Sequence, residues 1–147
     1  MDILASSLQT RQPFTVHVDD PVELVEQFLD RHKICCVPVL DSLKNCFGII
    51  TIKDVLRLHA TNPGHKDTKA WEICSHRFLQ VEQHCTAREA AKLIIEAGVH
   101  HLLIMNGKVV TGVLSSLDLL RHFHRETRNL EEQIAVKKPS TKGPETH

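Results

Sequence analysis

Two short stretches carry the residue types from which a small-molecule site can be built. Thr51 is followed three residues later by Asp54, and Ser115 by Asp118. An apolar run leads into each: Gly48-Ile49-Ile50 in the first case, Gly112-Val113-Leu114 in the second. Helical spacing follows each, so the hydroxyl sits where a strand hands over to a helix. The first turn of a helix offers unpaired N–H groups and the positive end of the dipole, and a hydroxyl beside them can help bind phosphate oxygens. The aspartate lies one turn on, along the same face. Its carboxylate can accept hydrogen bonds from two adjacent ribose hydroxyls. The same residues also read as an ordinary helix cap, with the hydroxyl at the N-cap and the carboxylate steadying the dipole. Both readings stand on the residues alone.

The elements that position these residues come from an internal duplication. Residues 16–41 lie over residues 81–106 at a shift of 65. Val22 then meets Ala87, Val25 meets Ala90, Phe28 meets Leu93, Ile34 meets Val99, Val37 meets Leu102 and Val39 meets Ile104. After a one-residue deletion the shift is 64, and Gly48, Thr51, Asp54 and Arg57 fall on Gly112, Ser115, Asp118 and Arg121. Each copy predicts strand, helix, strand, strand, helix. Helical apolar stripes run over 21–33 and 87–98. Asp20 ahead of Pro21 and Thr86 ahead of Ala87 read as caps, and Gly98 as a terminator. Continuous apolar runs at 36–40 and 102–105 predict buried strands. Residues 41–45 and Asn106-Gly107 are turn material, return strands cover 46–50 and 108–114, and second helices cover 52–60 and 116–128. The expected organisation is a first repeat over 1–60, a linker over 61–71, a second repeat over 72–128 and a disordered tail over 129–147. Trp71 reads as core.

Composition narrows the function. The 147 residues hold 18 basic and 18 acidic side chains, a formal net charge of zero. No bulk positive field is available to hold nucleic acid or an anionic membrane. No apolar run approaches a membrane span, and the N-terminus shows no signal peptide, so a cytoplasmic location is expected. The five cysteines form no CxxC and read as free thiols of a reducing compartment.

The duplicated pattern resembles the CBS domain, the regulatory module named after cystathionine β-synthase. It rests on Ile34-Cys35-Cys36-Val37-Pro38-Val39 with Gly48-Ile49-Ile50-Thr51-Ile52-Lys53-Asp54, and on Val99-His100-His101-Leu102-Leu103-Ile104 with Gly112-Val113-Leu114-Ser115-Ser116-Leu117-Asp118. The resemblance covers roughly residues 2–124. It implies an α+β fold of two pseudo-symmetric repeats packed sheet to sheet. It also implies an adenine nucleotide (AMP, ADP or ATP) or S-adenosylmethionine in the clefts between the repeats. Thr51 and Ser115 would meet phosphate, and Asp54 and Asp118 would hold ribose. Ile34, Val37 and Pro38, with Thr15 and its neighbours, would flank the adenine, and Val99, His101 and Leu102 would do so in the second copy. Flat homodimers are implied too. Val55, Leu56 and Leu58, with Leu119, Leu120 and Phe123, exceed what one sheet face can cover.

Other chemistries find little support. His100 and His101 are adjacent and would point to opposite faces of a strand; His122 and His124 do not share a helix face. His76, His84 and Cys85 would need the fold to bring them together, so no metal site is read. No nucleophile–base order or Gly-Lys phosphate loop argues for catalysis. Two functions remain: a sensor of an adenosyl ligand that modulates an effector protein, or a ligand-free dimerisation or protein-interaction module.

Overall fold

The computed structural model describes residues 3–8 and 13–137. Two three-stranded sheets carry the fold, in the order β1-β2-β3 and β4-β5-β6. The first sheet is built from β1 (Val16–His17), β2 (Cys36–Leu40) and β3 (Cys46–Thr51); the second from β4 (Leu79–Glu82), β5 (His101–Asn106) and β6 (Val109–Ser115). Both combine a parallel pair with an antiparallel hairpin. Both hairpins slip register at one place, between Val39 and Leu40 and between Ile104 and Met105, which are matching positions of the repeat. The helices are α1 (Val22–His32), α2 (Ile52–Thr61), α3 (Ala70–Ile73), α4 (Ala87–Ala97) and α5 (Ser116–Lys137). This is the expected α+β pair of repeats.

Alternation along the strands makes two kinds of core, because successive side chains leave a strand on opposite faces. Val37, Val39 and Ile50 pack with Val25 and Val55 under the helices of the first repeat. Leu102, Ile104 and Leu114 pack with Ala90, Ile94 and Leu119 under those of the second. The opposite faces meet each other: Cys36 and Ile49 of one sheet pack on Leu103 and Met105 of the other. The sheets are therefore stacked.

The ends of the elements follow local chemistry. Thr86 caps α4 by accepting the Glu89 N–H at 3.1 Å, as its sequence suggests. In the first copy Pro21, not Asp20, is the N-cap, which restores the register with Thr86. Asp20 instead accepts the His17 N–H at 2.8 Å and closes the turn before the helix. Helix α5 runs to Lys137, so residues 129–137 are helical rather than part of a tail. Leu130, Glu131, Glu132, Gln133 and Ala135 are strong helix formers, which extend a helix without needing burial. Residues 138–147 lie outside the described residues. Trp71 is half-exposed, and its neighbour Ala70 takes the core position.

The segments ahead of the two repeats are exchanged. The 3-10 turn Ala5–Ser7 packs on the second repeat, with Ala5 and Leu8 in its core. Helix α3 and the residue after it pack on the first, contributing Ala70, Ile73 and Cys74. The backbone hydrogen bonds match at a shift of 65. Ala87 N–H donates to Ile3 O as Val22 N–H donates to Thr68 O, both at 2.8 Å. Ala5 N–H donates to Cys85 O as Ala70 N–H donates to Asp20 O, again at 2.8 Å. Just after α3 the chain lies against β3, where Ile49 and Ser75 exchange N–H···O bonds of 3.0 and 2.8 Å.

Gly48 permits that approach. A Cβ at this position would stand 2.7 Å from Ser75 O and 2.8 Å from Cys74 Sγ. Backbone cannot move aside as a side chain end can. Gly48→Ala is expected to destabilise the chain by about 1–3 kcal/mol, the cost of overpacking. Urea unfolding measures it, and an unchanged midpoint would contradict the contact.

Candidate functional site

One cleft gathers chemistry from both repeats. Pro13, Phe14 and residues 32–36 form one side; His101, Val113, Ser115, Leu117, Asp118 and Arg121 form the other. Its volume is about 260 Å³, just below the roughly 300–1,000 Å³ usual for ligand pockets.

The second-repeat side is set by the junction of β6 and α5. Ser115 caps the helix, its Oγ accepting the Asp118 N–H at 3.1 Å. Asp118 Oδ2 accepts the Ser115 N–H at 2.9 Å. The Ser116 N–H donates to His100 O at 2.8 Å, which ties the helix start to the neighbouring strand. The cap engages only Oδ2 of Asp118, so Oδ1 receives no hydrogen bond among the described residues. Capping and ligand binding are therefore compatible, one oxygen to each. Thr51 and Asp54 repeat the arrangement at α2, where the Thr51 N–H and hydroxyl donate to Asp54 Oδ2 at 2.8 and 3.1 Å.

The first-repeat side comes from the end of α1 and the residues after it. Phe14 stacks on His32 with ring centroids 3.9 Å apart and planes 14° apart, making a flat aromatic wall. Lys33 follows in the left-handed conformation, φ 53°. Its counterpart Gly98 has φ 66°. A side chain in this region costs about 1–2 kcal/mol, a cost that glycine avoids. Lys33 and Arg121 are both exposed and together outnumber the Asp118 carboxylate, so the cleft favours anions.

Burial sets the protonation states. The Cys36 thiol is pushed up to about 12 by burial, then by Cys46, Asp54 and Cys35, so it is an inert wall atom. His101 is lowered by burial and by His100, against the pull of Asp118, so it enters the cleft as neutral imidazole.

The structure brings together Ile34, His101, Ser115 and Asp118. Val37, Pro38 and Leu102 are wholly buried in the cores and cannot touch a ligand. Thr15 and Val99 are half-buried outside this cleft, and Thr51 and Asp54 do not line it. Reading whole strands as walls overlooked that central strand residues are covered on both faces. Phe14 and Arg121 stood close to the expected set. His32 and Lys33 did not, although the lysine at a glycine position of the repeat is a visible signal. The cleft crosses the repeats, so Ser115 and Asp118 face Ile34 rather than their own Val99.

Both halves match the CBS domain family, over residues 5–60 and 70–125. The chain belongs to the CBS domain family. A CBS domain-containing protein of Dictyostelium discoideum is 28% identical over 132 residues, covering 82% of this chain and 90% of its own. The CBS domain pair of protein MJ0100, solved with 5′-methylthioadenosine and S-adenosyl-L-methionine, superposes with a TM-score of 0.77 at 20% identity, covering 86% of this chain and 99% of that one. The CBS domain protein PAE2072 from Pyrobaculum aerophilum, solved with AMP, gives 0.71 at 21% identity, with 79% and 89% covered. At these identities the two structures establish the fold.

His101 provides a pH test of the CBS pair. Its folded value lies below the ordinary 6.5, so in the interval between the two the unfolded chain binds more protons. Stability therefore falls as pH drops through 6.5 towards the folded value and is unaffected by His101 above it. His101→Gln is expected to shallow that fall, read from urea midpoints across the acid range; an identical profile would contradict a buried neutral His101.

Proposed function

We propose that this CBS pair is a regulatory module that binds an adenosine derivative in the cleft between its repeats and passes the bound state to an effector protein. The observation that carries this is the meeting of Ser115 and Asp118 with the Ile34–Phe14 wall of the other repeat. Asp118 Oδ1 would accept the ribose hydroxyls while Oδ2 keeps the cap. Ser115 and the first turn of α5 would meet phosphate, with Lys33 and Arg121 adding charge-assisted contacts. The adenine would lie against Ile34 and Phe14, with neutral His101 near enough to contribute. The two cations favour a phosphate-bearing nucleotide over the cationic sulfonium of S-adenosylmethionine. That relatives were solved with AMP and with S-adenosyl-L-methionine supports this ligand class. By the repeat, Thr51 and Asp54 would take the matching role in the first copy.

Calorimetry with AMP, ATP and S-adenosylmethionine tests the reading. Asp118→Ala should weaken nucleotide binding about ten- to a hundredfold, the loss of a charged hydrogen-bond acceptor worth roughly 1.5–3 kcal/mol. Lys33→Gly should weaken AMP and ATP but not uncharged adenosine. Wild-type protein that binds none of these at millimolar concentration would refute the reading.

A ligand-free dimerisation module is the second reading, favoured by exposed apolar side chains on the two helices after the hairpins. Leu56 on α2 and Leu120 on α5 are 64% and 65% exposed. The two functions are not exclusive, since neither Leu56 nor Leu120 lines the cleft. Light scattering at micromolar concentration is expected to give twice the chain mass, and Leu56→Glu with Leu120→Glu to halve it; a monomeric wild type would remove the dimer.

A further inference from the structure

Away from the residues that line the cleft, three side chains from distant parts of the sequence converge. Glu26 projects from α1, His59 from the last turn of α2, and His65 from the 3-10 turn His65–Asp67 that follows Asn62-Pro63-Gly64. His59 Nε2 lies 2.9 Å and His65 Nε2 3.0 Å from the same oxygen, Glu26 Oε1. The two rings meet edge to face with centroids 4.0 Å apart. All three ligand atoms lie within 4.8 Å of one another.

We propose that Glu26, His59 and His65 form a site for a divalent metal ion of the zinc class, which fastens the segment between the two repeats to α1. The donor set is two imidazoles and one carboxylate, a combination that holds zinc with a fourth position left for water. Zinc bonds of about 2.0–2.2 Å would hold tetrahedral ligand atoms roughly 3.3–3.6 Å apart, so the two Glu–His distances of 2.9 and 3.0 Å need only widen slightly to accept the ion. Without an ion, the arrangement loads both rings onto one carboxylate oxygen. Both Nε2 atoms must then carry hydrogens and share that one acceptor. A metal replaces that crowded sharing with three separate bonds.

The choice of ion follows from the donors. Two nitrogens and one oxygen suit zinc and its neighbours, while calcium and magnesium prefer oxygen shells. Solvent reaches the site on the His59 side, where the ring is half-exposed, so an ion has a path in. Nothing in the linear sequence shows the site: Glu26 is 33 residues from His59 and 39 from His65. The inference does not depend on nucleotide binding, since none of the three residues lines the cleft.

Zinc titrated into the metal-stripped 147-residue chain tests it, with cobalt(II) as a coloured probe of tetrahedral coordination. One zinc per chain is expected, with a raised melting temperature and slowed amide exchange over residues 62–68. Magnesium should do neither. Glu26→Gln and His59→Asn should each weaken zinc binding at least about tenfold, while melting near wild type in chelator. Absence of stoichiometric zinc binding to the wild type would overturn the proposal. Undiminished affinity in both variants, which would place the ion on other histidines, would overturn it too. So would zinc binding without protection of residues 62–68.

Discussion

Each half of this fold is completed by a segment that the chain supplies from ahead of the other half. Ala5 is buried in the core of the second repeat and Ala70 in the core of the first. The same pair of backbone hydrogen bonds fixes each segment in place. Neither core closes without the crossing strands of chain, and the sheets stack because each is tethered to the other's lead. The close passage of Ser75 over Gly48 is part of that constraint. The cleft between the repeats exists because two units are held at a fixed separation by these crossings rather than by a continuous sheet.

The site reuses structural parts. The hydroxyl and carboxylate that cap α5 are also the polar groups that face the cavity, and the cap consumes only one carboxylate oxygen. The aspartate is thereby held in one orientation before any ligand arrives, which lowers the ordering cost of binding. Lys33 goes the other way. It occupies a left-handed position where the matching residue is glycine, and strain of this kind persists where a side chain is required for another reason. On the proposed function, a cation at the mouth of the cleft would be such a reason.

Much of this was legible in the sequence because the duplication ties weak signals together. The strand and helix order, the hairpins and the two capping pairs follow from residues 16–60 and their copies. What was not legible depends on contacts distant in sequence. Val37, Pro38 and Leu102 read as cleft walls because a strand pattern reveals alternation but not that both faces are covered. The end of α5 was misread because exposed Glu, Gln and Ala carry no apolar stripe, although they favour helix. The exchange of Ala5 and Ala70 leaves no local mark at all, since small apolar residues look alike in a core and in a linker. Glu26, His59 and His65 converge only once the chain after α2 has turned back.

The matching of Ile3 with Thr68 and of Ala5 with Ala70 has a consequence for how such a chain can be assembled. A single repeat whose lead crosses to a neighbour has an unfilled slot and an unpartnered lead. Two separate copies would satisfy each other by trading leads, as a domain-swapped pair whose stability varies with concentration. Joining the copies through the segment between α2 and Thr68 turns that trade into an intramolecular closure, at an effective concentration of order millimolar for a short tether. The connecting segment can then vary in length at little cost, since doubling a loop adds only about 0.6 kcal/mol. The lead residues that enter the cores have no such freedom.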